Sequence, residues 1–76
     1  MKIFGFNAVV QKEPGKGYAA SIRELHANTQ AKNLRELEHN LKDVAKLMIL
    51  DVLENERRYR KTTVRKARAV VIKALA

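Results

Sequence analysis

Ile3 to Ile22 reads IFGFNAVVQKEPGKGYAASI. Phe4, Phe6, Ala8 and Val10 alternate with Gly5, Asn7 and Val9, a period of two that predicts a strand over Ile3–Gln11. The loop Lys12–Gly17, KEPGKG, follows. Pro-Gly presets a tight turn, and Gly17 adds freedom of φ. Tyr18, Ala20 and Ile22 then share one face of a second short strand. Two alternating runs around a Pro-Gly loop predict an antiparallel hairpin.

The chain beyond the hairpin changes period. RELHANTQAK, Arg23 to Lys32, is less patterned, with room for a short third strand at Asn28–Ala31. Asn33 is a good N-cap, and Glu36 stands three residues later, as in a capping box. Leu34, Leu37, Leu41, Val44, Met48 and Val52 then step by three and four along one face of a helix of about six turns, ending near Arg58. Glu38 and Lys42 make a favourable i,i+4 pair. Leu47, Met48, Ile49 and Leu50 widen the apolar stripe beyond what a three-stranded sheet covers. Either a second copy or the C-terminal segment packs there, and these four residues are the candidate oligomer interface.

The segment Val64–Ala76 is open to two readings. Val64, Ala67, Val71 and Leu75 fit a helix, whereas the β-branched Val70-Val71-Ile72 favours a strand.

The charge is unevenly placed. The chain has 76 residues and a formal net charge of +8, yet Met1–Glu56 holds eight basic and eight acidic residues. The whole excess lies beyond Glu56, where ERRYRKTTVRKAR, Glu56–Arg68, carries Arg57, Arg58, Arg60, Lys61, Arg65, Lys66 and Arg68 with no acid after Glu56. An acidic partner is implied: DNA or RNA phosphates, or an acidic protein face. Tyr59 is the one aromatic available to stack on a base.

A chain of this length forms a single domain, here 1–76 with 57–76 as a basic C-terminal extension, and is marginal alone. It has no cysteine, so self-association is the expected supplement to its core. The N-terminus shows no continuous apolar region or small-residue cleavage site, and the apolar run Val44–Leu53 is broken by Lys46 and Asp51. A cytoplasmic protein without a membrane partner is expected.

No reactive constellation emerges. His26 and His39 lack a second histidine at ligand spacing, so no metal site is expected. PGKGY flanks a turn rather than opening a helix, unlike a phosphate loop. Glu36, Asp43, Asp51 and Glu54 fall beside the helix stripe rather than in a cleft, and the single serine, Ser21, sits in the second strand. Catalysis and cofactors are not expected.

As a set, Phe6–Ile49 resembles the HicB family of antitoxins from bacterial and archaeal toxin–antitoxin pairs. The residues that carry the resemblance are Gly17-Tyr18, Ala20-Ser21, Glu24-Leu25, Thr29-Gln30 and Leu34-Arg35-Glu36, in ungapped register. The chain departs from the family pattern at Arg23 and His26-Ala27-Asn28, where prolines and a Pro-Gly-Cys are usual, and at Ala31 and Asn33, where Gly and Thr are usual. The resemblance implies an α+β fold: an antiparallel three-stranded sheet on one long helix, closed by a fourth strand in the C-terminal segment (β-β-β-α-β), described as partial ribonuclease-H-like. A C-terminal helix is the alternative. It further implies a regulatory module that binds a small basic RNA-cleaving toxin of the HicA type. The family's usual separate DNA-binding domain is longer than the 20 residues beyond Glu56. A small nucleic-acid-binding protein using 57–68, and a structural homo-oligomer, are the alternative functions.

Overall fold

The computed structural model describes residues 1–75. Its elements are β1 (Lys2–Ile3), β2 (Phe6–Asn7), β3 (Val9–Glu13), β4 (Gly17–Ile22), β5 (Ala27–Ala31), α1 (Leu34–Glu54) and α2 (Lys61–Leu75), with 3-10 turns at Arg23–Leu25 and Glu56–Arg58. The fold is α+β, with two antiparallel sheets, β1-β2 and β3-β4-β5, and two helices.

The N-terminal run is not one strand. Ile3 pairs with Phe6, so Phe4 and Gly5, both at positive φ, form a two-residue turn before the chain reaches β3. The alternation survives this break: Phe6 and Ala8 are buried, and Phe4 and Val10 pack against the core.

The predicted hairpin is β3-β4. Lys16 N–H donates to the Glu13 carbonyl across Pro14-Gly15, closing a turn with Gly15 at φ +73°, as a type II turn requires. The third strand begins one residue earlier than expected, at Ala27, and pairs antiparallel to β4. Register sorts the two faces. Tyr18 and Ala31, Ala20 and Thr29, and Ile22 and Ala27 share the inner face. Val9, Ser21 and Asn28 form one row across the outer face, and Gln11, Ala19 and Gln30 another.

Asn33 caps α1 as expected, its side chain accepting from the Glu36 N–H at 2.9 Å. The Glu38–Lys42 pair also forms, at 3.1 Å. The buried stripe is Leu37, Leu41, Ala45, Ile49 and Val52, shifted by one residue from the expected line at its centre. Val44 and Met48 are its partly buried flank, and Leu34 is 49% exposed. An alanine contributes little to a hydrophobic period, so Ala45 is inconspicuous in sequence although none of its surface is exposed. The helix also ends earlier than Arg58. Asn55 terminates it, its N–H donating to the Asp51 carbonyl at 2.9 Å.

The expected fourth strand is not formed. Lys61–Leu75 is a helix, the alternative reading, and Ala76 lies outside the described residues. The reason is packing. Thr63, Val64 and Ala67 are buried and Val70 and Val71 partly so, a period of three and four that lays one face on the core. Burying a valine such as Val64 contributes about 1.5 kcal/mol or more. A strand would send half of these side chains to solvent. Ile72, the residue that completes the β-branched run, is left 68% exposed.

Gly17 sits closely against β5. At φ +90° it opens β4, and a Cβ there would lie 2.4 Å from the Ala31 carbonyl oxygen. Gly15, at φ +73°, has open space around it. Gly15→Ala should therefore cost only the conformational penalty, ~1 kcal/mol, whereas Gly17→Ala should cost ~3 kcal/mol or more because backbone must also move. Urea unfolding of the two variants measures the difference, and equal losses would contradict this account of the β4-β5 approach.

Candidate functional site

Two surfaces stand out: the corner where α1 turns into α2, and the outer face of the β3-β4-β5 sheet.

The corner is organised by Asp51, which lies in the last turn of α1. Its Oδ1 accepts from the Asn55 Nδ2 at 3.0 Å, and its Oδ2 accepts a short bond from the Tyr59 hydroxyl. Arg58 N–H donates to the Asn55 carbonyl and Tyr59 N–H to the Glu56 carbonyl, so the link between the helices is a hydrogen-bonded turn. The Tyr59 ring tilts against His26 with centroids 5.6 Å apart. Tyr59 was the aromatic available to stack on a base; its ring instead packs on the core and its hydroxyl is taken.

The seven cations of the candidate nucleic-acid segment divide into two groups. Lys66 bonds Glu24 at 3.0 and 3.2 Å, and its amine stands 5.3 Å from the Phe6 ring centroid. Arg68 grips Glu56 with one nitrogen, at 2.7 and 2.8 Å, and that carboxylate pushes the guanidinium pKa up further. These two residues fasten α2 to the body of the protein. Arg57, Arg58, Arg60, Lys61 and Arg65 are exposed, and none has a carboxylate within ion-pair distance among the described residues.

Tyr59 separates these five side chains into two shallow depressions. Arg57, Lys61 and Arg65 line the first with Arg68. Arg58 and Arg60 line the second together with Arg23, from the turn after β4. Arg23 was not among the sequence candidates. It is an isolated charge in a neutral region, and only the chain reversal brings it to the basic segment.

The outer sheet face is different in character. A concavity there is lined by Val9, Gln11, Ala19, Ser21, Asn28 and Gln30, with Arg23 at its margin. No helix covers it among the described residues, because α1 and α2 both pack on the core side.

The four candidate oligomer residues are likewise divided. Ile49 is 3% exposed and belongs to the monomer's own core, with Met48 packed beside it. Leu47 and Leu50 are 68% and 56% exposed. The C-terminal segment thus covers part of the wide apolar stripe, as α2 packed on α1, and the two leucines remain exposed. Among the described residues no cluster of three metal-ligating side chains occurs, and no helix is long and apolar enough to cross a membrane. His39 makes a surface pair with Asp43 at 3.4 Å.

The Asp51–Tyr59 bond makes a testable link between pH and stability. The hydrogen bond to Asp51, with burial and the nearby carboxylate charge, raises the Tyr59 pKa above its ordinary 10.0. A folded-state pKa above the unfolded one means that the stabilisation is complete below pH 10.0 and is lost as pH rises through the folded value. Tyr59→Phe should cost about 1 kcal/mol near neutral pH and should flatten the alkaline fall in stability. Thermal unfolding across that range, wild type against variant, measures both; an unchanged alkaline slope would remove Tyr59 from the linkage. In comparisons with known proteins, no family model, no curated protein and no solved structure matches this chain.

Proposed function

We propose that the protein is a HicB-like regulatory module that acts by binding a small protein partner, a basic RNA-cleaving toxin of the HicA type. The observation that supports this reading best is the antiparallel meander β3-β4-β5 running through the Asn33 cap into one long helix, with one sheet face left uncovered. Three of the five residue groups of the resemblance fall at structural joints of that unit, and Ala20-Ser21 and Thr29-Gln30 lie within its strands. Gly17-Tyr18 opens β4, Glu24-Leu25 forms the turn after it, Thr29-Gln30 lies in β5, and Leu34-Arg35-Glu36 is the first turn of α1. We read this unit as the partial ribonuclease-H-like core, with α2 standing where a closing strand was expected.

Charge decides which face such a partner would use. A basic toxin is repelled by the α1–α2 corner, where the unpaired arginines lie. The concavity on the outer sheet face is lined by uncharged side chains, Val9, Gln11, Ala19, Ser21, Asn28 and Gln30, with Arg23 only at its edge. It carries hydrogen-bonding groups with an apolar residue among them, the mixture of protein interfaces.

Co-expression with a small toxin-like gene from the same neighbourhood tests the reading. The toxin should be neutralised and should co-purify. Ser21→Arg with Asn28→Arg, both on the outer face, should weaken the complex tenfold or more while circular dichroism stays unchanged. Failure to neutralise any neighbouring toxin would overturn the function. Full binding by the double variant would overturn the choice of face.

Leu47 and Leu50, one turn apart on α1, support self-association as an accompanying property. Light scattering after size exclusion should show a dimer or larger species that Leu47→Glu with Leu50→Glu converts to monomer. A wild-type monomer at micromolar concentration would sink the oligomer.

A further inference from the structure

We propose that the α1–α2 corner binds the phosphodiester backbone of nucleic acid, with Arg57, Lys61 and Arg65 on one side of Tyr59 and Arg23, Arg58 and Arg60 on the other. This goes beyond the protein-binding reading, since it uses a different surface and a different partner.

The first ground is preorganisation. The cations do not sit on a loose extension. Thr63, Val64 and Ala67 are buried beneath α2, Lys66 is bonded to Glu24, Arg68 to Glu56, and Tyr59 to Asp51. The side chains that anchor the corner are distinct from those that remain for a ligand. A fixed array of charges loses less entropy on binding than a flexible tail does.

The second ground is charge without compensation. On α1 the exposed cations are spread along the helix among acids, and Lys42 pairs with Glu38 at 3.1 Å. At the corner the Glu24 and Glu56 carboxylates are occupied by the anchoring Lys66 and Arg68, and the Asp51 carboxylate by Asn55 and Tyr59. Six further cations crowd around Tyr59 and repel one another. Such a surface raises the local concentration of a polyanion and relieves its own repulsion when one binds.

The third ground selects phosphate over an acidic protein. Protein interfaces are centred on a buried apolar or aromatic anchor. Here Val64 is 8% exposed and the Tyr59 hydroxyl is engaged, while none of the large exposed apolar side chains among the described residues, Leu47, Leu50 and Ile72 included, lines either depression. Five of the six cations are arginines, whose planar fork matches phosphate oxygens. With no free aromatic at the corner for stacking, the contact is to the backbone and is independent of sequence.

Fluorescence anisotropy of the full chain with labelled duplex DNA, single-stranded DNA and RNA of arbitrary sequence tests this. Affinity for at least one should fall with salt, and for the duplex the log–log slope should be about −5 for six phosphates neutralised. Arg57→Gln with Lys61→Gln should reduce the magnitude of that slope by about 2, and Arg23→Gln by about 1. The Ser21→Arg/Asn28→Arg protein should retain nucleic-acid binding, which separates failure here from failure of the toxin-binding reading. The proposal is overturned by any of three results: no binding to the three nucleic acids at low salt, an unchanged slope in the folded Arg57→Gln/Lys61→Gln variant, or equal affinity for poly-glutamate.

Discussion

β4, β5 and α2 all pack against α1, whose inner face is one buried stripe. Leu37, Leu41, Ala45, Ile49 and Val52 are buried along it. The sheet β3-β4-β5 rests against the helix, and so does α2, beside it. A chain of 76 residues has no second core to draw on, and with no cysteine it has no covalent brace. The stripe must therefore serve two layers at once. Ala45, midway along it, is fully buried, and its small side chain lets neighbouring elements approach the helix closely. The remaining features of the fold, the tight turn at Pro14-Gly15 and the close approach at Gly17, deliver the strands to that surface in register.

The corner at Asp51 turns this packing into a defined array of exposed charge. Asn55 and Tyr59 bind the Asp51 carboxylate and reverse the chain, so that the basic segment doubles back over the body of the protein. Two of its cations then meet Glu24 and Glu56 and become structural. Salt bridges of this exposure contribute little energy individually, roughly 0–1 kcal/mol. Their larger consequence is positional: α2 is oriented, and the remaining arginines are held together around Tyr59. The uncharged concavity of the sheet and the cationic corner meet near Arg23, which borders both. A single small domain thus offers two chemically separate surfaces.

Local signals made much of this legible. The period of two in Val9–Gln11 and Tyr18–Ile22, the Pro-Gly turn and the Asn33 cap each act within a few residues, and the corresponding strands, turn and cap are formed. The errors fall where long-range packing decides. The Phe4-Gly5 turn interrupts what alternation alone reads as one strand, because alternation does not report a chain reversal that keeps the same residues inside. Val70-Val71-Ile72 has strand propensity, but Thr63, Val64 and Ala67 find the α1 stripe at helical spacing, and burial outweighs propensity. Of the candidate cations, nothing local distinguishes Lys66 and Arg68 from their neighbours, since the acids they meet lie 42 and 12 residues away.

By itself, then, the sequence determined the local conformations and the charge asymmetry: a hairpin, a third strand, a capped helix, and a basic excess confined to the residues after Glu56. These depend on φ preferences, short-range hydrogen bonds and simple counting. Only the tertiary structure decided that the last segment is a helix, that Ile49 belongs inside while Leu47 and Leu50 stay out, and which cations anchor and which remain exposed. Each of those outcomes depends on what stands across from a residue once the chain has folded back. Burial and ion pairing are properties of such partners, and neighbours in sequence do not reveal them.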